Sequence, residues 1–142
     1  MTASQAVQLI ESGDSIYIQG STSIPEVLSQ ALADRGSELK DVTVYAAFAV
    51  GRCEAPYCKP EFKDAFHIKS LFVANNIRRW LADGYGTTIP AFLGEIPGLL
   101  GTEPCRLTLS SSMCRRPMKT ATAPMACQPT WLFPPQSARA RS

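Results

Sequence analysis

The sequence predicts an α/β fold on a mainly parallel sheet, followed by an irregular tail. Three observations carry this. Residues 14–32, DSIYIQGSTSIPEVLSQAL, read as an apolar strand, a small polar loop and an amphipathic helix. Val42–Ala49 is a nearly continuous apolar run rich in β-branched and aromatic residues, the pattern of a strand covered on both faces. Strand, helix and strand in that order imply a crossover between parallel neighbours, whereas from Cys105 the periodicity stops.

Each element has its own signal. Thr2 and Gln5 have capping-box spacing, Ala6, Val7, Leu9 and Ile10 give one apolar helical face, and Gly13 supplies a left-handed stop. Ser15–Gln19 is the first strand and Gly20, Ser21 and Thr22 the loop. Ser23 and Glu26 repeat the capping-box spacing, with Pro25 in the first turn, where a missing N–H costs nothing. Val27, Leu28, Ala31 and Leu32 then make the buried stripe of a helix that Gly36 ends. Residues 51–66 read as a loop with one short helix. Ser70–Val73 is expected as a third strand, Asn75 and Asn76 as the start of a helix with body Ile77–Ala82, and Gly84 and Gly86 as its end. Thr87–Leu93 reads as a fourth extended segment and Gly94–Leu100 as a helical turn.

The 142 residues suit one domain, but charge divides them. Residues 1–104 hold all twelve acids against eight bases, a balance of −4, while residues 105–142 hold six bases and no acid. In that tail 14 of 38 residues are Ser, Thr or Pro, which cannot easily bury a core. The expected division is therefore 1–104 and 105–142. With no basic n-region and no apolar run of ~18 residues, the cytoplasm is the expected location. Five cysteines, an odd number, are expected as free thiols there.

Candidate chemistry is sparse. Gly20, Ser21, Thr22 and Ser23 at a helix start suit an anion or a carbonyl, or form only a cap and tight connection. No Walker lysine follows. Cys53 and Cys58 lack the further ligands a structural zinc needs, and His67 is a lone imidazole, so no metal is expected. His67 has no nucleophile motif near it and suits packing or the surface. Asn75 and Asn76 cap a helix or aim amides at a ligand, and the isolated Glu54 and Glu95 read as solvated surface. The basic tail offers phosphate contacts but few aromatics, Trp131 and Phe133.

Three stretches resemble the acetyl-CoA hydrolase/transferase family, which includes acetate, butyrate and 4-hydroxybutyrate CoA-transferases. They are GDSIYIQGSTSIPEVLSQAL, then EAPYCKPEF, then LFVANNIRRWLADGYGTTIPAFLGEIPGLL. The resemblance spans roughly residues 3–100, and Ala74 stands where the family commonly has Gly. It implies a partial CoA-transferase-like domain and a reaction that moves CoA between a short-chain acyl-CoA and acetate or a similar carboxylate. A glutamate attacks the acyl-CoA, and a glutamyl-CoA thioester forms in between. That glutamate belongs to the second half of family members, so no catalytic residue is assigned here and the chain alone is expected to be inactive. Gly20, Ser21, Thr22, Ser23 and Asn76 are the implied substrate-binding residues. Coenzyme A is then a substrate, no resident cofactor is needed, neither nucleic acid nor membrane is a partner, and full-length relatives form homo-oligomers. The competing expectations are a non-catalytic acyl- or CoA-binding module and an interaction protein using the basic tail.

After EIPGLL the family continues with a strand and the phrase SPPD-x-x-GY, where this chain has SSSMCRRPMKTATAPMACQPTWLFPPQSA. Back-translated and regrouped by one base, suitable codons give IHVSPPDENGYCSYGVSTDLAVSAA. The expectation is a reading-frame slip near Gly101–Arg106, leaving Cys105–Ser142 unselected for folding. Such a chain keeps an unpaired sheet edge and an uncovered apolar face, and marginal stability follows.

Overall fold

The computed structural model describes residues 2–20, 24–46, 55–100 and 109–111, with only the backbone given for Asn76 and for 109–111. The elements in chain order are α1 (Ala3–Val7), β1 (Ser15–Ile18), α2 (Glu26–Asp34), β2 (Val42–Ala46), a 3-10 turn (Pro60–Phe62), β3 (Phe66–Ser70), α3 (Asn75–Ala82), β4 (Gly86–Thr88), α4 (Ile96–Leu99) and β5 (Leu109–Ser111). Five parallel strands form one sheet in the order β4-β3-β2-β1-β5. The α/β architecture and the parallel sheet agree with the sequence reading. The outer edge of β1, expected to stay open, carries β5.

Alternation along the strands decides the two faces. Ile16, Ile18, Val42, Val44, Ala46, Phe66 and Ile68 point to one side, where Val7, Ile10, Leu32, Ala33 and Trp80 cover them. Tyr17 and Tyr45 point to the other, packed with Leu71, Ile96 and Leu100. Steps from β1 to β4 all run one way, so crossovers of one hand put α2 and α3 on a single face, which α1, ahead of β1, joins through Val7. The return from β4 to β5 runs the other way, and α4 lies on the opposite face. There Lys69 Nζ sits 5.5 Å over the Tyr45 ring, its stem along the sheet.

Local chemistry explains the ends. The Thr2–Gln5 capping box forms, with both reciprocal bonds made. Arg35 then ties α1 to α2, its guanidinium donating to the carbonyls of Val7 and Ile10 (3.1 Å to the latter) and to Glu38. Trp80 Nε1 donates to the Tyr85 carbonyl at 2.7 Å across the turn at Gly84, whose φ of 82° a side chain would strain.

Several boundaries differ from the sequence reading, each for a physical reason. Helix α1 closes at Val7, so Gly13, at φ 85°, serves the turn into β1 instead. Helix α2 starts at Glu26 with Pro25 as its N-cap and no side-chain cap there, and Ser23 of the expected capping box lies outside the described residues. Of its expected stripe Leu32 is buried and Leu28 and Ala31 pack partly buried against the core, joined by Ser29 and Ala33, whereas Val27 is 73 % exposed. The far end agrees with the sequence reading: the helix closes at Asp34 with Arg35 as its C-cap, and Gly36 follows, its backbone against the Phe62 ring. The third strand is Phe66–Ser70, four residues earlier than its apolar run, because burial alternates along FHIKS and LFVA is the turn that follows. Ala74, not an asparagine side chain, stands at the N-cap of α3. The fourth strand is three residues long.

Candidate functional site

Parallel strands all end on one edge, and the strand order marks a place on it. From β1 the chain steps outward to β4 and then returns to the far side of β1, so its direction reverses between β1 and β5. In open α/β sheets the crevice outside the carboxyl ends at such a reversal is where ligands bind. Gln19 and Gly20, where the expected loop begins, follow the carboxyl end of β1 at that point. Gln19 and Gly20 are buried. Ser21, Thr22 and Ser23 lie outside the described residues, as do Cys53, Glu54, Trp131 and Phe133.

Asn75 and Asn76 open α3 on the same edge, after β3. Neighbouring strands are ~4.8 Å apart, so the ends of β1 and β3, with β2 between them, are separated by about 10 Å. In the first turn of α3 the Ile77 N–H donates to the Ala74 carbonyl at 3.3 Å, and the backbone N–H groups of residues 75 and 76, at the positive end of the helix dipole, suit a carbonyl or carboxylate oxygen. Asn76 is placed here by its backbone.

The turn that delivers α3 is fixed by a residue the sequence gave no reason to choose. Ser70 is completely buried, and its Oγ donates to the Phe72 carbonyl at 2.8 Å. Leu71 N–H reaches the Ala46 carbonyl at 2.9 Å and Ala74 N–H the Phe72 carbonyl at 3.1 Å. Ser70 also accepts from Ile89 N–H at 2.8 Å, which brings the segment after β4 to the same edge. Only the alternation along β3 could have pointed to Ser70.

The other candidates fall away from this edge or from chemistry. Burial pushes the Cys58 thiol up to about 12, so it stays protonated at neutral pH. Burial and the neighbouring Cys58 also raise Tyr57, and burial raises Tyr17. His67 is half-buried on β3, in register with Thr43. Glu95 is exposed, and its carboxylate accepts the Phe92 N–H at 3.2 Å. Among the described residues no three His, Cys, Asp or Glu side chains are grouped to hold a metal, and no helix is long and apolar enough to cross a membrane.

The chain is similar to two curated CoA-transferases. The succinyl-CoA:acetate/propanoyl-CoA:succinate CoA transferase of Fasciola hepatica is 27 % identical over 71 % of this chain and 21 % of its own length. The butyryl-CoA:acetate CoA-transferase of Anaerostipes caccae is 27 % identical over 68 % of this chain and 22 % of its own. The chain thus spans about a fifth of the curated relatives it matches. Among solved structures, RipA from Yersinia pestis superimposes with a TM-score of 0.68 at 25 % identity, covering 79 % of this chain and 28 % of that one. The profile of the acetyl-CoA hydrolase/transferase N-terminal domain matches residues 1–105, and the chain belongs to that family.

Proposed function

We propose that this chain is the amino-terminal part of an acyl-CoA:carboxylate CoA-transferase, moving CoA between a short-chain acyl-CoA and acetate or a similar carboxylate. The observation that carries this reading is the family match over residues 1–105. The names of both curated relatives pair an acyl-CoA with acetate, which supports the substrate class. The Gly20–Ser23 loop, at the reversal between β1 and β5, forms part of the acyl pocket wall, and the first turn of α3 with Asn76 supports it about 10 Å away. Coenzyme A is a substrate here and no resident cofactor takes part.

In this reading a glutamate supplied by the part of a full-length transferase beyond the matched residues displaces CoA thiolate from the acyl-CoA to give an acyl-glutamyl anhydride, and the thiolate then attacks the glutamyl carbonyl, giving glutamyl-CoA and the free carboxylate. The pocket wall contributes hydrogen-bond donors toward the thioester oxygen, where negative charge develops. This chain alone therefore binds without turning over. The reading frame slips near Gly101–Arg106, and full-length relatives assemble as homo-oligomers in the cytoplasm.

The test is acetate-dependent exchange of CoA from butyryl-CoA, measured for the 142-residue chain and for a chain whose frame is restored near codons 98–110. No turnover by the first and turnover by the second is expected. Inactivity of both with acetate, propionate, butyrate and succinate as acceptors overturns the reading. A melting shift with butyryl-CoA in the 142-residue chain, without turnover, reports the pocket wall by itself.

A further inference from the structure

Helices α1 and α2 leave an open groove of about 480 Å³ between them. Ala3 of α1 and Val27 and Ala31 of α2 give it an apolar lining, and Val27 is 73 % exposed there. Glu26, Gln30 and Asp34, four residues apart, form one row along it. The groove is preformed: a capping box starts α1, and Arg35 fastens the two helices by donating to the Val7 and Ile10 carbonyls. Gln30 Nε2 donates to the Asp34 carboxylate at 2.9 Å, which holds that carboxylate in the row. Asp34 is the last residue of α2, where the helix dipole is negative and a cation is favoured. No base stands in that last turn, and Asp34 pairs with no cation among the described residues. The far end of the groove therefore lacks a positive charge.

The chain carries its own complement. Residues 105–142 hold six bases and no acid, and residues 115–119 read RRPMK, three cations around a proline and a methionine. Lengths agree as well as charges. Glu26 and Asp34 are about 12 Å apart along the helix axis, and an extended chain covers ~13 Å from Arg115 to Lys119. Strand β5 runs parallel to β1 with Ser111 beside Ile18, so the chain leaves it at the carboxyl edge, where α2 starts with Glu26. From Ser111 to Arg115 the chain spans up to ~14 Å, more than one ~10 Å layer of packed structure. We infer that the α1–α2 groove is the docking site of the chain's own residues 115–119, with the arginines at Glu26, Met118 over Val27 and Ala31, and Lys119 on Asp34. Each exposed ion pair is weak, but the tether makes the contact intramolecular and raises the effective concentration of the segment. The docking depends only on the charges and lengths of the chain, whatever its reading frame and whatever it catalyses.

The test uses the full 142-residue chain and a water-soluble carbodiimide, which joins an amine to a carboxylate it touches. Lys119 is the only lysine of residues 105–142, so any lysine cross-link from that region reports its position. Peptide mass spectrometry of the monomer is expected to find Lys119 joined to Asp34. Replacing Arg115 and Arg116 together by glutamine should lower that yield about two- to fivefold, the worth of an exposed ion pair or two. Val27→Ser should lower it as well while melting like the parent, since the side chain it removes is exposed. Phe92→Ser, which removes an exposed ring that does not line the groove, should leave it unchanged. Raising the salt to about 0.5 M should suppress the cross-link by screening. Lys119 joined without preference to Glu38, Glu61 and Glu95 overturns the docking, and so does a yield that ignores salt and both groove variants. A Lys119–Asp34 link found only in a cross-linked dimer assigns the groove to the tail of a second copy and overturns docking within one chain.

Discussion

Replacing Gly86 by alanine tests how strand β4 is seated, and the structure sets the size of the effect. A Cβ there would lie 2.6 Å from the Ile68 carbonyl oxygen, 3.0 Å from Leu81 Cδ2 and 3.2 Å from Ile68 Cβ. The nearest atom is backbone of the neighbouring strand, so no rotamer change relieves it. Strand β4 must retreat by roughly 0.5 Å, stretching the Ile68–Gly86 and Lys69–Thr87 pairings, at about 1–3 kcal/mol for such overpacking. The stiffer unfolded chain offsets ~0.4–1 kcal/mol. A net loss of about 1–2 kcal/mol is expected, which for roughly 100 ordered residues lowers the melting temperature by about 5–15 °C. The control is Gly98→Ala in α4, where a Cβ meets nothing within 4 Å. It should stabilise by ~0.5–1 kcal/mol through helix propensity. Urea unfolding of the three proteins decides the matter. Equal stability of Gly86→Ala and the parent, or equal losses in both variants, would refute the reasoning.

Three further outcomes follow from single contacts. Arg35→Met should cost about 2 kcal/mol in urea unfolding, since two carbonyls lose a charged donor, and Arg35→Lys should not rescue it because one ammonium cannot span both. Ser70→Ala should cost ~1 kcal/mol and speed hydrogen exchange at Leu71–Ala74, the turn that positions α3. The Cys58 thiol stays protonated in the fold up to about 12, whereas the unfolded thiol ionises from its ordinary 9.0. The fold therefore holds the extra proton in that window, and stability falls with rising pH by up to ~1.4 kcal/mol per unit. Relative to Cys58→Ala, the parent should lose about 1 kcal/mol between pH 8 and 10, and a constant difference would contradict the burial of that thiol.

What the sequence made legible was whatever is written in periodicity. The run at Val42–Ala46, covered on both faces, could be read directly, and so could the strand–loop–helix unit around β1. Misreadings arose where apolar content and geometry disagree. Leu71, Phe72 and Val73 looked like a strand because they are apolar, yet the ladder uses Phe66, Ile68 and Ser70 as its inward row, with a serine in the last place. Val27 looked like core because α2 has more apolar residues than its packed stripe can hold. Ser70 escaped notice because its role is one hydrogen bond to a carbonyl two residues on, and no local pattern announces that.

Strand β5 poses a different problem, because the reversal of strand order depends on it. Leu109–Ser111 pairs with Ile16–Ile18 through residues that carry no strand pattern. A parallel ladder needs only backbone N–H and C=O groups in register, and the outer edge of β1 offers a row of them to any extended segment within reach. Seating β5 therefore demands little of the side chains at 109–111. On the reading proposed above, that is how a segment out of frame completes the strand order: backbone pairing alone sets the place of the reversal, and side chains within the matched residues 1–105 set what binds there.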